Sequence, residues 1–192
     1  MQQKMPNPKI LIFAGSAREG SFNKKLAKAA AVIAENANAD VTFVDLADYT
    51  APVYNGDDED ANGLPRTMQN FKALMQKHDC FIVSTPEYNG HAPPLLSNTF
   101  SWISRAEGDE QGMVAFNGKK AAIMAASPGL RGGIRVIPRL RDTLAELGVM
   151  VVPGFVTVAS ASNAFDENGA LIDEKLTNNI QRLVEKLIAE YK

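Results

Sequence analysis

One cysteine and two histidines among 192 residues narrow the catalytic repertoire before any motif is read. Cys80 lies within the apolar run CFIVST, so no intrachain disulfide can form, and a thiol there reads as a small core side chain rather than a nucleophile. His78 and His91 share no metal-ligand spacing with other residues and read as structural or solvent-exposed groups. Charge of either sign is not in excess: 20 basic and 22 acidic residues give −2, which argues against nucleic acid or a membrane surface as partner. No apolar run reaches the ~18 residues of a membrane span, and the opening MQQKMPNP contains no apolar signal segment. The expected location is the cytoplasm. Internal repeats and low-complexity linkers are also missing, so residues 1–192 are expected to form a single domain.

What the chain does have is alternation. KILIFAG, DVTFVDL, CFIVST, AAIMAAS and MVVPGFVTV read as five strands, the fifth interrupted by Pro153-Gly154, which implies a bulge or an edge. Helical patterns separate them. NKKLAKAAAVIAENAN places Leu26, Ala30, Ile33 and Ala37 on one face, and LPRTMQNFKALMQKH carries Met68, Phe71, Leu74 and Met75 behind a Pro65 at the first helical position. PLLSNTFSWIS, GIRVIPRLRDTLAELG and DEKLTNNIQRLVEKLIAEYK supply the other helices. This order predicts an α/β fold, a doubly wound five-stranded parallel sheet with helices on both faces. Ligands of such sheets bind beyond the carboxyl ends of the strands, at the switch in strand order. Three loops lie there: residues 16–22, 86–94 and 127–133.

The first loop, in FAGSAREGSFNKKLA, leaves a strand and enters a helix through small residues, the arrangement that brings backbone N–H groups and a helix N-terminus to an anion. It is not a nucleoside-triphosphate loop, because Ser21 and Phe22 stand where Lys and Ser or Thr are needed. Nor is it a dinucleotide fingerprint, since Ala17 occupies the second glycine position. Ser16, Arg18, Ser21, Asn23 and the backbone N–H groups remain, a donor set suited to a phosphate monoester. Ser21 or Asn23 could alternatively serve only as the helix cap.

The second loop, TPEYNGHAPPLLSNTFSW, is stiffened by Pro86, Pro93 and Pro94 and turned by Asn89-Gly90. Backbone groups beside Tyr88 suit the edge and face of a planar heterocycle, although an ordinary turn bearing a surface tyrosine fits as well. The third loop, AASPGLRGGIR, superficially suggests a hydrolase at Ser127, but Ala125 replaces the first glycine of the nucleophile elbow and no histidine follows His91. GDDEDANG, residues 56–63, lacks a calcium-loop frame and is expected to be a solvated acidic loop, so no metal site is assigned.

Taken together, GSAREGSFNKKLA, PEYNGHAPPLLSNTFSWIS and SPGLRGGIRVIPRLRDTLAELG resemble the signature regions of the NAD(P)H-dependent FMN reductases, a flavodoxin-like family that includes quinone, azo-dye and chromate reductases. The resemblance runs from Lys9 to Val158. It implies FMN as cofactor, NADPH or NADH as co-substrate and a small-molecule electron acceptor. It implies a cofactor site in which Ser16, Arg18, Ser21, Phe22 and Asn23 form the phosphate loop, Pro86, Glu87, Tyr88, Asn89 and Gly90 line the ring, and Ser127 and Gly129 border it. No catalytic side chain is implied, because the redox chemistry belongs to the cofactor. The family often has serine, glycine and lysine where this chain has His91, Pro94 and Ser97. A homodimer or homotetramer is expected, both from the resemblance and from Leu95, Leu96, Phe100, Trp102 and Ile103 on one helix; Trp102 packed within its own subunit is the alternative. The competing activity is that of a flavodoxin-like FMN-binding electron carrier with no NAD(P)H-dependent turnover of its own.

Overall fold

A computed structural model describes residues 7–191. Its elements run β1 (Lys9–Ala14), α1 (Phe22–Asn36), β2 (Asp40–Asp45), α2 (Gly56–Asn62), α3 (Arg66–Lys77), β3 (Cys80–Thr85), α4 (Pro94–Ile103), β4 (Lys120–Ala126), α5 (Val136–Glu146), β5 (Met150–Val151), β6 (Val156–Val158) and α6 (Glu174–Tyr191). The strand order is β2-β1-β3-β4-β5, with β6 also on β4, and every pairing is parallel. This is the flavodoxin-like order, with its switch point between β1 and β3. The interruption expected at Pro153-Gly154 is real and splits the fifth strand in two. Met150 and Val151 pair with Lys120 and Ala121, and Val156, Thr157 and Val158 pair with Met124, Ala125 and Ala126. Pro153 has no N–H for a ladder, and Gly154 adopts φ +100°, which carries the chain across the break.

The sheet separates two cores by the alternation of its side chains. Leu11, Phe13, Phe81 and Val83 pack with α3, α4 and α5, where Phe71 meets Phe13 edge-on at 5.3 Å. Ile10, Ile12, Ala14 and Ile82 pack with α1 and α6. The buried stripe of α1 is Leu26, Ala27, Ala30, Ala31 and Ala34; Ile33 is only half-buried, and Ala37 lies beyond the last turn as its cap. Alanine lets this helix lie close to the sheet at little entropic cost.

Three expectations need correcting. Residues 56–62 form α2 rather than a loop, because the Asn55 side chain accepts the Asp57 N–H at 3.1 Å and Asp57, Asp58 and Glu59 face the positive end of the helix. Pro65 lies just before α3 rather than on its first turn. On α4, Leu96, Phe100, Trp102 and Ile103 are at most 4% exposed within this one subunit, so they leave no surplus apolar surface for a partner. Residues 51–54 cover them: the Trp102 indole N–H donates to the Pro52 carbonyl at 2.8 Å, and the Tyr54 ring stands edge-on at 5.0 Å. A buried cation on α3 had no signal in the apolar pattern. Lys72 donates to the Arg105 carbonyl at 3.0 Å and pairs with Glu107 and Glu110, fastening the loop after α4.

Cys80 opens β3 inside the second core, as its setting in the sequence suggested. Burial, with the negative charge of Asp79 adding to it, pushes its thiol up to about 11. The native chain therefore disfavours the thiolate. Stability present below the ~8.5 of a free thiol declines as pH rises toward 11. Iodoacetamide at pH 8 is expected to leave the native protein unlabelled and to modify Cys80 fully in urea, as mass spectrometry would record.

Candidate functional site

The three loops identified in the sequence leave the sheet at the carboxyl ends of β1, β3 and β4, which are adjacent strands. Ala14 pairs with Ser84 and Thr85 with Ala125, so the loops start side by side. One side chain joins all three. The Asn23 amide, 3% exposed, accepts from the Ala126 N–H at 2.8 Å and the Ser84 hydroxyl at 2.9 Å, and donates to the Ala126 carbonyl at 2.9 Å. The Asn23 side chain is thus committed to the ends of β3 and β4. What Asn23 can still offer an anion is its backbone N–H in the first turn of α1, which has no intrahelical acceptor.

The remainder of the first loop combines buried serines at its two ends with exposed residues 17–20. Ser21 is the cap of α1; its Oγ accepts the Lys24 N–H at 3.4 Å, which leaves the hydroxyl proton free to donate. Both uses weighed for Ser21 are therefore compatible. Ser16 is buried at the start of the loop, and Phe22 is half-buried against Phe165, with ring centroids 6.4 Å apart. Arg18 is exposed, and its guanidinium enters no ion pair among the described residues. It folds back toward Gly20, with Nη2 3.7 Å from where a Cβ would stand. Beneath the loop lies a cation that motif reading missed. The Lys24 ammonium donates to the Ala17 carbonyl at 3.0 Å and meets Asp45 at the end of β2 at 2.5 Å. It ties the loop to the neighbouring strand, its charge met by the Asp45 carboxylate.

The second loop turns as Asn-Gly predicts. Asn89 and Gly90 adopt φ +54° and +81°, and Tyr88 and His91 exchange two backbone hydrogen bonds at 2.9 and 3.0 Å, which closes a two-residue hairpin. The Tyr88 N–H is consumed in that exchange, whereas the Glu87 and Asn89 N–H groups meet no acceptor among the described residues. Tyr88 and His91 are exposed, and Pro86 is half-buried. His78 is a buried structural group, its ring nitrogens 2.7 Å from the Leu74 carbonyl and 2.8 Å from the Thr42 hydroxyl.

The third loop is held by its own backbone. The Ser127 Oγ accepts the Gly129 N–H at 3.2 Å, and the Gly129 carbonyl accepts from Gly132 and Ser160. Gly132 adopts φ +60° with the backbone of Ala159 so near that a Cβ would stand 2.9 Å from its nitrogen, so no other residue fits. The Glu87 carboxylate accepts the Arg135 N–H at 2.8 Å and joins this loop to the second.

A groove of about 940 Å3 lies elsewhere, along the outer face of α1 between Phe43 and residues 167–171. It shares only Glu19 and Ser21 with the first loop and nothing with the other two. The convergence of the three loops therefore favours the strand ends over this groove as the site for a planar phosphorylated ligand. The donor set fits one: two serine hydroxyls, a guanidinium outside any ion pair among the described residues and unpaired first-turn N–H groups at a 15-residue helix.

Comparison with known proteins agrees with that chemistry. Residues 8–163 match the family described as NADPH-dependent FMN reductase. The chain is 35% identical over 181 residues to an NAD(P)H-dependent FMN reductase of Pseudomonas aeruginosa, covering 93% of this chain and 92% of that one. It is 31% identical over 182 residues to a 2-hydroxy-1,4-benzoquinone reductase of Burkholderia sp, covering 94% of each. Among solved structures it is similar to the flavoenzyme NAD(P)H:(acceptor) oxidoreductase FerB of Paracoccus denitrificans, with a TM-score of 0.78, 26% identity and coverage of 96% and 97%.

Replacing Asn23 by leucine removes three hydrogen bonds at the loop junction and strands the Ala126 N–H and carbonyl in a buried position. Asn23→Leu should cost about 1–3 kcal/mol for each stranded group. Urea denaturation of the flavin-free protein measures this, and a loss below 1 kcal/mol would contradict the assigned role.

Proposed function

Because the chain belongs to the NADPH-dependent FMN reductase family, we propose that its three loops form the site of the bound cofactor. The protein is an FMN-dependent oxidoreductase in which bound FMN passes hydride equivalents from NAD(P)H to an acceptor such as a quinone. A flavin-binding electron carrier without its own turnover, the competing reading, is not favoured by these relatives.

The residue roles are our reading. Ser16, the Arg18 guanidinium, the Ser21 hydroxyl and the N–H groups of Phe22 and Asn23 hold the phosphate. The Glu87 and Asn89 N–H groups, with Pro86 and Gly90, face the edge of the ring. Ser127 and Gly129 bound it from β4, and Tyr88 stands at the mouth, where an aromatic acceptor stacks. The observation that carries this is the Asn23 junction, which brings the phosphate-type loop and the two ring-type loops to one point on the sheet. The chain's own contribution is to bind and orient; no acid–base pair is assigned, and none is required when hydride is exchanged at a cofactor.

We further propose one FMN-binding domain over residues 1–192, a cytoplasmic location where reduced nicotinamide is supplied, and a homodimer or homotetramer. Assembly no longer rests on α4. It is supported by exposed apolar side chains on the segments after β2 and β4, Val53 at 83% and Leu130 at 89%. A monomeric mass by light scattering at micromolar concentration would reject it.

Titration of the apoprotein tests the cofactor site. FMN should bind in preference to FAD, and Arg18→Ala should weaken FMN by about 1.5–3 kcal/mol, roughly tenfold to a hundredfold, while leaving riboflavin nearly unaffected. An equal loss for riboflavin would move Arg18 away from the phosphate. Stopped-flow bleaching of the FMN absorbance by NADPH tests the activity, and a chain that binds FMN but is never reduced would be the carrier after all.

A further inference from the structure

Helix α5 grips the second loop at both ends of its hairpin. At the first end, the Glu87 carboxylate takes the Arg135 N–H at 2.8 Å, where α5 starts without a capping side chain of its own. The Arg135 guanidinium lies 4.0 Å from the other carboxylate oxygen. This is a helix cap delivered from another loop, with a negative charge at the positive end of the dipole. At the second end, one turn further along α5, the Arg139 guanidinium donates to the Gly90 carbonyl. Gly90 is buried, adopts φ +81°, and has the guanidinium where a Cβ would stand. The side-chain space that glycine leaves is the space Arg139 uses.

The second grip acts on one peptide group. The Gly90–His91 peptide donates its N–H to the Tyr88 carbonyl at 3.0 Å and accepts Arg139 at its oxygen. A flip of that peptide would break both bonds. Without Arg139, only the hydrogen bond to the Tyr88 carbonyl is left to this peptide, in a turn whose two central residues, Asn89 and Gly90, both hold positive φ, +54° and +81°. Tyr88 precedes this turn directly, and its carbonyl is the acceptor of the peptide's N–H, so the peptide that closes the turn bears on the Tyr88 backbone.

We propose that Arg139 is a positioning residue for acceptor reduction: by holding the Gly90 carbonyl, it keeps the Asn89-Gly90 turn in one state and, through the hydrogen bond of that peptide to the Tyr88 carbonyl, steadies the Tyr88 backbone at the mouth of the site. The inference rests on the reading of this loop as the ring-facing one. It assigns Arg139 an effect on the acceptor rather than on the phosphate, because the first loop is held separately by Asn23 and Lys24.

Three variants test it: Arg139→Ala, Arg139→Lys, which keeps a cationic donor group, and Asp142→Ala, an exposed change on the same helix. In flavin-free protein, Arg139→Ala should speed amide exchange in residues 86–93 about tenfold or more, the lysine variant should recover part of the protection, and Asp142→Ala should match wild type. With FMN bound, Arg139→Ala should raise the KM for a benzoquinone about threefold to tenfold, with the FMN Kd rising by a smaller factor and the visible circular dichroism of the bound flavin altered. Unchanged exchange in Arg139→Ala, or an FMN Kd that rises as much as the KM, would overturn the role. Wild-type protein that bound no FMN would instead overturn the reading of the site, and the acceptor role with it.

Discussion

The rest of the site depends on one buried side chain, the Asn23 amide, which is paired with the end of β4 and the Ser84 hydroxyl of β3. A parallel sheet leaves the ends of its strands to loops with little local structure, so something must set those loops relative to one another. An amide has both a donor and an acceptor and can satisfy a neighbouring strand's N–H and carbonyl together. Placed on the first turn of α1, it aims the helix N-terminus at the same point where the β3 and β4 loops begin. In the dry interior such a network is worth keeping only when every member is satisfied, and no buried side-chain nitrogen or oxygen among the described residues lacks a partner.

Around that junction, each loop is stabilised by a different device. The first uses charge: Lys24 bridges the Ala17 carbonyl and Asp45, so an ammonium neutralised by one carboxylate supports a loop that must itself attract an anion. The second uses a hairpin with two positive-φ residues, anchored from outside by α5. The third uses close backbone approach, which Gly132 permits. Rigid loops of this kind suit a protein whose reactive group is carried by a cofactor, because binding geometry is then its main means of directing the reaction.

Buried charge recurs away from the site. Lys72 beneath residues 105–110, and Lys119 donating to the His78 carbonyl at 2.5 Å, both fasten loops at the opposite end of the strands. Burial lowers the pKa of Lys119, while the Asp79 charge acts in the other direction. Lysines on backbone carbonyls thus hold loops at both ends of the sheet, and the carboxyl end adds an amide junction with arginine and glutamate clamps.

By itself, the sequence determined the alternation of strands and helices, the break at Pro153-Gly154, the Asn89-Gly90 hairpin, the buried Cys80 and the order of the three loops. All of these follow from periodicity or turn chemistry within a few residues, where the backbone responds to its immediate neighbours. The helix at residues 56–62 is equally local, set by the Asn55 cap before three acidic residues. Only the tertiary structure decided where side chains spend their hydrogen bonds. Asn23 reaches a partner 103 residues away, Glu87 one 48 away and Arg139 one 49 away, and no spacing rule connects such pairs. Trp102 is the same case, since the Pro52 carbonyl that takes its indole N–H lies 50 residues earlier. Residue types could nominate donors for a phosphate. Which of them remain free to act depends on what the fold has already bound.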